Sequence, residues 1–559
     1  MKANPNDELV FLPLGGANEI GMNLNAYGYG PPEARKWIIV DVGVTFGGPD
    51  TPGVEVILPD PTYLAERKDD ILGIVLTHAH EDHIGAIGWL WPRLKAPIYA
   101  TPFTAALVRE KLRERGLLEK APLKEIPLKG KLTLGPFEME LITLTHSIPE
   151  PNGVAIRTPL GLVWHTGDWK IDPNPLIGET TDEEALGRIA DEGVLAMVCD
   201  STNVFVEGEA GSEADVREHL IELIAGLKGR VAVTAFASNV ARVQSAIEAA
   251  AACGRTVCLV GRSMHKVVGA AQSVGMLKDV PAFADEADAA HLPRENVLYL
   301  CTGSQGEARA ALSRIARGDH RHVALSAGDS VVFSSRIIPG NEAAIYSLHN
   351  LLEEKGVNVI TDEDENIHVS GHPCRDELRR MYQWARPRIA VPVHGERRHI
   401  LEHAKLAKEL QTQEAVTPRN GDLIRLAPGA AMTIDETPAG RLYADGIMLI
   451  EPDSDSLRER KRIGAEGVIT VGITMGGKKQ SIVSGPDVRL RGLAAQDEEE
   501  EELALSELAD AAEAAFHRLK HDEREDEEIA EAAISRSVRK AAERIWGKRP
   551  FVEVLLMRA

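Results

Sequence analysis

The sequence has few cysteines and few aromatic residues. Among its 559 residues there are 5 cysteines, at positions 199, 253, 258, 301 and 374, and none forms a Cys-x-x-Cys pair. An odd number of scattered cysteines argues against a disulfide framework and suits free thiols in a reducing compartment. Aromatic residues make up 4% of the chain, which disfavours a binding surface built mainly from stacked rings.

Long apolar runs and net positive charge are also missing. No apolar run reaches the about 18 residues of a membrane-spanning helix, and Met1 to Glu8 lacks the apolar core of a signal peptide. These absences predict a cytoplasmic protein without a membrane segment. The formal net charge is -22, and the acids cluster at Asp497–Glu502 and Asp522–Glu531. Net charge bears on solubility and nonspecific binding, so it disfavours a broad basic face but leaves a local site open.

The most informative motif is the sequence His-Ala-His-Glu-Asp-His that starts at His78. It follows the apolar run Ile71–Leu76, which predicts a buried strand. Because side chains alternate along a strand, His78 and His80 should point the same way. We expect Asp82 and His83 to lie on the turn beyond, facing a second ion. Imidazole and carboxylate ligands suit zinc, and manganese less selectively. A histidine-rich polar turn without metal is the alternative.

Further candidates occur downstream, each where an apolar, strand-like stretch ends and loops gather. They are His146, Asp168 and His394. Each one alone is a weak candidate for a metal ligand. Together with the first motif they form a set of histidines and aspartates large enough for two metal ions, the equipment typical of phosphodiester hydrolysis.

Roughly 220 residues separate Asp168 from His394, far more than the about 15 residues beyond which structureless loops become uncommon. The intervening sequence alternates predicted strands with a predicted helix. The strands are Gly229–Phe236, Thr256–Val260 and Val297–Thr302, and the helix is Ser238–Ala252. This alternation predicts an inserted parallel α/β domain.

These motifs resemble the metallo-β-lactamase fold, and the inserted domain resembles its β-CASP subgroup, whose members cut nucleic acids. Asp41 matches the first motif of the fold, while Asp200, His372 and His394 match the additional motifs of the subgroup. Three further strings resemble the ribonuclease J family specifically: Gly261–Met264, Thr302–Glu307 and Ile338–Glu342. The resemblance extends from about Leu9 to the C-terminus, loosely over the last hundred residues or so.

The resemblance implies an α/β protein in which a metallo-β-lactamase αββα sandwich carries an inserted β-CASP α/β domain and a small C-terminal α/β domain. The expected division gives residues 1–205 and 366–450 to the sandwich, 206–365 to the insertion, 451–465 to a charge-dense linker and 466–559 to the C-terminal domain. In that last domain we predict strands at Gly467–Met475 and Phe551–Met557 and helices at Glu499–Leu519 and Asp526–Trp546.

The same resemblance, together with the spacing, implies a role for each site residue. One divalent ion would be held by His78, His80 and His146, the other by Asp82, His83 and His394, and Asp168 would bridge them. Zinc is favoured and manganese is the alternative. Asp41 would orient a histidine ligand; taken alone, it is better explained as a strand-end turn residue before Gly43.

Catalysis would use Asp168, His372 and Asp200. The pKa of a water shared by two dications falls towards neutrality, so that hydroxide is present to attack phosphorus. His372 is the candidate general acid for the leaving oxygen. Asp200 would hydrogen-bond a site histidine. A helix-start environment for His372 and an Asx turn for Asp200 are the alternatives.

A phosphate-binding loop is predicted at His368, Val369, Ser370, Gly371 and His372, where a glycine frees backbone N–H groups to form an anion nest. In ribonuclease J the corresponding stretch helps to bind a 5′-terminal monophosphate. Weaker candidates for phosphate contacts are Arg262, Ser334, Ser335 and Arg336.

The expected function is therefore a ribonuclease of RNA processing and decay. It would act 5′-to-3′ on single-stranded RNA with a 5′-monophosphate, held in a groove between the two domains, and would also cut internally. The family implies a homodimer or homotetramer formed through the C-terminal domain, and partners in an RNA-decay complex. The alternatives are a DNA nuclease of the same subgroup acting in repair, a small-ester or lactam hydrolase, and a noncatalytic RNA-binding scaffold.

Overall fold

Strands and helices alternate along the chain, and the computed structural model describes residues 4–48, 50–477 and 480–559. The strands of the described residues are β1 Glu8–Gly15, β2 Ala17–Asn18, β3 Leu24–Gly30, β4 Lys36–Val40, β5 Thr45–Phe46, β6 Val56–Pro59, β7 Ile71–Val75, β8 Ile98–Ala100, β9 Leu123–Glu125, β10 Lys131–Leu134, β11 Phe137–Thr143, β12 Asn152–Thr158, β13 Gly161–His165, β14 Val194–Asp200, β15 Val231–Thr234, β16 Thr256–Val260, β17 Val297–Cys301, β18 Ser330–Phe333, β19 Asn358–Ile360, β20 Ile389–Val393, β21 Gly395–Glu396, β22 Glu414–Ala415, β23 Asp422–Ala427, β24 Met432–Glu436, β25 Arg441–Asp445, β26 Met448–Ile450, β27 Val468–Gly476, β28 Ser481–Arg491 and β29 Phe551–Arg558. The helices are α1 Thr62–Ala65, α2 Glu81–Ile84, α3 Ile87–Leu94, α4 Pro102–Glu114, α5 Glu183–Glu192, α6 Glu213–Gly226, α7 Val240–Ala252, α8 Arg262–Ser273, α9 Glu286–Ala289, α10 Ala311–Arg317, α11 Glu342–Glu353, α12 Arg375–Ala385, α13 Arg397–Glu409, α14 Asp455–Glu466, α15 Glu498–Arg518, α16 His521–Glu525 and α17 Glu527–Trp546.

Two large sheets pack face to face in the first compact unit, which runs through Thr45 and then from Leu58 to Arg441. Their strand orders are β24-β23-β1-β3-β4-β7-β8-β9 and β10-β11-β12-β13-β14-β20-β22. Buried apolar side chains from both sheets, among them Phe11, Ile38 and Val391, fill the space between them. Helices α5, α12 and α13 pack on the outer face of the second sheet, and α4 packs against β8 and β9 of the first. The predicted αββα sandwich is confirmed.

The strands that carry the candidate site are parallel neighbours. In the first sheet β4 pairs parallel with β7, and in the second β14 pairs parallel with both β13 and β20. The carboxyl ends of parallel strands meet at one edge of a sheet, which is where open α/β sheets place their ligand sites. The residues after these strands are therefore brought together.

The inserted domain is a five-stranded parallel sheet with the order β16-β17-β15-β18-β19. Apolar residues of these strands and of α10 and α11 form its core. Helix α7 begins where Asn239 accepts a hydrogen bond from the backbone N–H of Arg242 at 2.9 Å, two residues later than predicted. The predicted strand–helix alternation of this domain is confirmed.

The second compact unit combines Phe46–Ile57 with Leu442–Ala559. Its three-stranded sheet, β28-β27-β29, packs against α15 and α17 through a core that includes Ile469, Leu508 and Ile534. Most of the stretch expected to be a linker, 451–465, is helical, because Asp455–Glu466 forms helix α14. Its straight-chain charged residues favour a helix, and Arg458 pairs with Asp455 three residues before it. The inclusion of Phe46–Ile57 was not predicted.

The five cysteines are unpaired thiols. Burial raises the pKa of Cys258 and of Cys301 to about 12, which leaves these thiols protonated and unreactive at neutral pH. Among the helices of the described residues, none combines the length and the apolar character needed to cross a bilayer.

Candidate metal centre

The structure brings the predicted site residues together at one edge of the two sheets. Asp41 follows β4, the His78 motif follows β7, Asp168 follows β13, and His394 follows β20 directly. His146 comes three residues after β11. Asp82 and His83 lie in the short helix α2, not on the turn that the sequence suggested, since the backbone N–H groups of His83 and Ile84 bond back to His80 O.

Three histidine nitrogens form the first group. His80 Nδ1 lies 3.1 Å from His78 Nε2 and 3.0 Å from His146 Nε2. Burial, and then the neighbouring imidazoles, hold the pKa of His78 and of His146 well below the ordinary value, and burial lowers that of His80 to about 4. The three rings are therefore neutral near pH 7, which is the state that binds a metal ion.

Two carboxylates and two imidazoles form the second group, Asp82, His83, Asp168 and His394. Asp168 Oδ2 lies 3.1 Å from His83 Nε2 and 3.4 Å from His394 Nε2. Asp82 Oδ2 is 3.6 Å from His83 Nε2 and 3.7 Å from His394 Nε2. The four ligand atoms thus surround a common point.

Charge in the second group is balanced by its histidines. Burial alone would raise the pKa of Asp168, but His394 and His83 outweigh it and keep the carboxyl ionised. Burial alone would lower the pKa of His83, but Asp168 and Asp82 outweigh it and raise the pKa. Positive charge between Asp168 and His83 is therefore stabilising, and a metal ion can supply that charge as well as a proton.

Asp168 also lies beside the first group. One of its ligand atoms is within 4.8 Å of a ring nitrogen of His146 and of His372, and Asp168 acts electrostatically on His78. The two groups are consequently adjacent, with Asp168 between them.

The tautomers of the histidines fit a metal centre. The backbone oxygen of Gly371 accepts a hydrogen bond from His146 Nδ1. Thr77 Oγ1 donates to Asp41 Oδ2 at 2.8 Å and so accepts from His78 Nδ1 at 3.0 Å. In both neutral rings Nε2 is left with a lone pair that points at His80 Nδ1. His80 Nδ1 can donate at most one proton, so it cannot satisfy both lone pairs, whereas a divalent cation between the three nitrogens can; this donor set therefore suits a bound metal.

Asp41 lies behind the second group. Its carboxylate accepts from the backbone N–H of Thr77 at 2.8 Å and from His83 Nδ1 at 2.7 Å. This contact turns His83 Nε2 towards Asp168. The turn after Asp41 needs a glycine, since a Cβ at Gly43 would lie 1.6 Å from the backbone oxygen of Asp82. The carboxylate–histidine contact that the sequence suggested for Asp41 is therefore present.

Asn23 is a site residue that the sequence analysis missed. Its side chain contacts His394 Nδ1, with the amide nitrogen at 2.9 Å and the amide oxygen at 3.2 Å. Nδ2 also donates to the backbone oxygen of Asp82 at 3.1 Å. No metal-ligand spacing marks Asn23, and the glycine-rich stretch before it is the only signal. A Cβ on Gly16 would lie 2.3 Å from Asn23 Oδ1, so glycine is required there.

His372 and Asp200 form a pair at the rim of the metal centre. Asp200 Oδ2 lies 2.8 Å from His372 Nδ1, and Asp168 Oδ2 is 3.9 Å away. Burial lowers the pKa of His372, but the charge and hydrogen bond of Asp200, followed by Asp168, raise it to about 9. Thr202 fixes the other oxygen of Asp200 by donating from its N–H at 2.8 Å and its hydroxyl at 2.7 Å. His372 is accordingly protonated at neutral pH.

The stretch from His368 to His372, called here the recognition loop, packs against the same site. Gly371 O bonds His146, as described above. Ser370 Oγ accepts from Asn203 Nδ2 at 2.8 Å and from the backbone N–H of His372 at 3.1 Å. Val369 is buried. The loop is therefore held at a fixed position beside the metal ligands.

The weaker phosphate candidates differ from one another. Ser334 is buried, and its hydroxyl donates to Ile367 O at 2.6 Å, so the suggestion that it contacts phosphate is wrong: the hydroxyl is already used inside the protein. Ser335 is buried, whereas Arg336 is exposed. Arg262 is exposed at the first turn of α8.

Four family models match separate parts of the chain. Residues 26–176 match the metallo-beta-lactamase superfamily, 228–352 the ribonuclease J beta-CASP domain, 363–418 the Zn-dependent metallo-hydrolase RNA specificity domain, and 455–559 the ribonuclease J C-terminal domain. The matches follow the order that the motifs suggested.

Similar proteins extend over almost the whole chain. Ribonuclease J of Sinorhizobium meliloti is 46% identical over 98% of this chain and 97% of its own length. Ribonuclease J of Mycolicibacterium smegmatis is 39% identical over 96% and 95%, and that of Corynebacterium glutamicum is 37% identical over 98% and 76%. A crystal structure of a protein of unknown function from Enterococcus faecalis V583 shares the fold, with a TM-score of 0.53 and 16% identity over 75% of this chain and 100% of that one.

Proposed function

This chain belongs to the ribonuclease J family of metal-dependent RNA hydrolases, and from that premise we propose that it degrades single-stranded RNA 5′-to-3′ from 5′-monophosphate ends and also cuts internally. The observation that carries this proposal is the position of the recognition loop. Gly371 of the loop bonds the metal-group residue His146, and His372 ends the loop at the rim of the metal centre. A 5′-phosphate bound there would place a nearby phosphodiester at the metals.

Two divalent ions are proposed, with zinc favoured and manganese the alternative. His78, His80 and His146 would hold one ion, Asp82, His83 and His394 would hold the other, and Asp168 would contact both. The neutral imidazoles and ionised carboxylates described above support this assignment. When bound, such a pair of ions supplies an activated water and positive charge opposite the phosphoryl oxygens.

His372 would act as the general acid. Its Nδ1 is committed to Asp200 at 2.8 Å, so Nε2 carries the transferable proton. Cleavage that leaves a 5′-phosphate on the downstream product expels a 3′ oxygen, which needs a proton as the bond to phosphorus breaks. Asp200 would keep the imidazole protonated and correctly oriented until that transfer.

The recognition loop would bind the 5′-phosphate through neutral donors. Burial, and then Arg242, hold the pKa of His368 well below the ordinary value, so the ring is uncharged at neutral pH. Its Nδ1 has no hydrogen-bond partner among the described residues, but the atom is itself buried, so a phosphate would reach it only through a shift of the loop. Backbone N–H groups near Gly371 can complete an anion nest.

The test uses one RNA sequence in three forms: 5′-monophosphate, 5′-triphosphate and circular. Each is incubated with the purified protein and zinc or manganese, and the products are resolved over time. We expect mononucleotides to be released fastest from the monophosphate form, with slower internal cuts in the circle. Equal rates on all three forms would contradict the 5′-end preference. Degradation of single-stranded DNA with RNA left intact would favour a repair nuclease.

Asn23→Ala is expected to weaken metal binding. Removal of the amide leaves His394 Nδ1 without its partner, and loss of such an outer contact typically lowers metal affinity about 10–100-fold. Zinc competition with a chromophoric chelator measures this loss without relying on activity. Asn25→Ala is the matched control, because Asn25 is equally buried in strand β3 and its side-chain oxygen has no hydrogen-bond partner among the described residues. Equal affinities in the two variants would contradict the role of Asn23.

The remaining assignments follow from the family and stay proposals. We propose a cytoplasmic enzyme that forms a homodimer or homotetramer through its C-terminal domain and works with partners in an RNA-decay complex. For the domain division, we propose residues 206–365 for the insertion, supported by its separate parallel sheet. The C-terminal domain would start before residue 466 and include α14.

A further inference from the structure

Arg242 is a charged residue inside the protein, with 0% of its surface exposed. Its Nε and Nη2 each donate to the carboxylate of Glu213 at 3.0 Å. Its Nη1 donates to the backbone oxygen of Ile367 at 2.9 Å, and to the backbone oxygen and hydroxyl of Ser334 at 2.8 and 2.6 Å. Every arm of the guanidinium is therefore used, which is the condition under which a buried arginine is tolerated.

These contacts join parts of the chain that are distant in sequence. Arg242 lies in α7 of the inserted domain, and Ile367 immediately precedes the recognition loop. Glu213 begins α6, and its backbone N–H donates to Asp172 at 2.9 Å. Asp172 also pairs with Lys170 at 3.1 Å, just after Asp168 in the chain. A continuous buried polar chain thus runs from the segment after Asp168 to the start of the recognition loop.

The recognition loop has different anchors at its two ends. Its later part is held by the sandwich residue Asn203, whose Nδ2 donates to Ser370 Oγ at 2.8 Å and to the backbone oxygen of His372 at 3.1 Å. Its beginning is held from the inserted domain, by Arg242 and by Ser334 through Ile367 O. A shift of Arg242 would therefore move His368 relative to the metal centre.

We propose that Arg242 is a positioning residue for 5′-end selection: it fixes the start of the recognition loop and ties that position to the placement of the inserted domain. This inference rests on the proposed function of the loop. Arg242 has no exposed surface, so it acts through the loop and does not touch RNA. Lysine cannot replace it, because an ammonium group lacks the planar fork that binds a carboxylate in two places while also donating to two carbonyl oxygens.

The experiment compares Arg242→Lys with the parent protein on matched linear RNAs that carry a 5′-monophosphate or a 5′-hydroxyl, with kcat and KM measured on each. We expect the preference for the monophosphate to fall about tenfold or more, which corresponds to loss of a hydrogen bond to a charged group. The change should lie mainly in KM for the monophosphate RNA. Cleavage of circular RNA should be nearly unchanged. A general structural defect would instead lower the cleavage of circular and linear RNA together.

Arg255→Lys is the matched control. Arg255 is also buried in the inserted domain, and it donates to the backbone oxygens of Leu227, Gly229 and Val297, none of which belongs to the recognition loop. This variant should keep the full monophosphate preference. Equal losses in the two lysine variants would reduce Arg242 to general structural support and overturn the proposal.

Ser334→Ala is the second variant, for the case in which Arg242→Lys does not fold. It removes one hydroxyl contact to Ile367 O and one to Arg242 without leaving a buried charge unpaired, so a smaller loss of the same preference is expected. An unchanged preference in folded Ser334→Ala and Arg242→Lys proteins overturns the proposal while the function stands. A parent protein that shows no preference for the monophosphate overturns the function itself.

Discussion

Asp168→Asn is expected to lower the rate of RNA cleavage by on the order of 10³-fold or more, since metal ligation contributes several kcal/mol to transition-state stabilisation. Asp168 Oδ2 lies within 3.4 Å of a nitrogen of both His83 and His394, and the residue is adjacent to the first histidine group. Asparagine has nearly the same shape but no charge. The variant would therefore lose its shared anionic ligand while keeping the packing of the site.

Single-turnover cleavage, metal content by atomic absorption and thermal unfolding together check this prediction. Asp182→Asn is a suitable control, because Asp182 caps α5 by accepting from the backbone N–H of Ala185 at 3.0 Å, outside the metal centre. That variant should lose some stability and keep its activity. An Asp168→Asn protein that retains both metals and cleaves within tenfold of the parent would disprove a shared-ligand role.

The sequence was sufficient to predict where the candidate metal ligands come together. Asp41 and His78 follow the parallel neighbours β4 and β7 of one sheet, and His394 follows β20, which pairs in parallel with β14 in the other sheet. The three residues meet because the carboxyl ends of these strands lie at the same edge of the packed sheets. Apolar runs with polar residues at their ends give this information directly. The predicted αββα sandwich and inserted parallel domain rest on the same kind of local signal.

Contacts between distant segments could not be predicted in this way. Asn23 reaches His394 because β2 pairs in parallel with β21, directly after His394, and neither two-residue strand has a recognisable pattern. Phe46–Ile57 belongs to the C-terminal unit for a similar reason, because the short strand β6 pairs with β25. Pairings of this kind depend on the finished fold.

Polar residues were also easy to misinterpret when their burial was unknown. Ser334 suggested a phosphate contact by its chemistry alone, yet its hydroxyl bonds Ile367 O inside the protein. The charge-dense stretch at 451–465 suggested a linker, yet its side chains pair along α14. Burial explains the difference for Ser334. Helix α14 stays largely exposed, so the helix propensity of its residues and their local pairing explain why it forms.

His372→Ala is expected to slow RNA cleavage by roughly 10²–10⁴-fold, the usual contribution of a general acid. Bis(p-nitrophenyl) phosphate provides the discriminating comparison, because p-nitrophenolate leaves without needing a proton. If His372 serves as the acid, the variant should hydrolyse that ester at a rate close to that of the parent protein. Equal losses on both substrates would instead indicate that His372 organises the metal centre or binds phosphate.

Asp200→Asn tests the same assignment through pH. Asp200 is the main group that raises the pKa of His372 to about 9 against the effect of burial, so its neutral analogue should lower that pKa. The acid must be protonated to act, and the alkaline limb of the kcat–pH profile should therefore move to lower pH in the variant. Bound cations would lower the pKa of His372 in the parent protein and in the variant alike. The informative quantity is therefore the difference between the two pH profiles. A profile that does not shift would mean that Asp200 does not control the proton that leaves with the product.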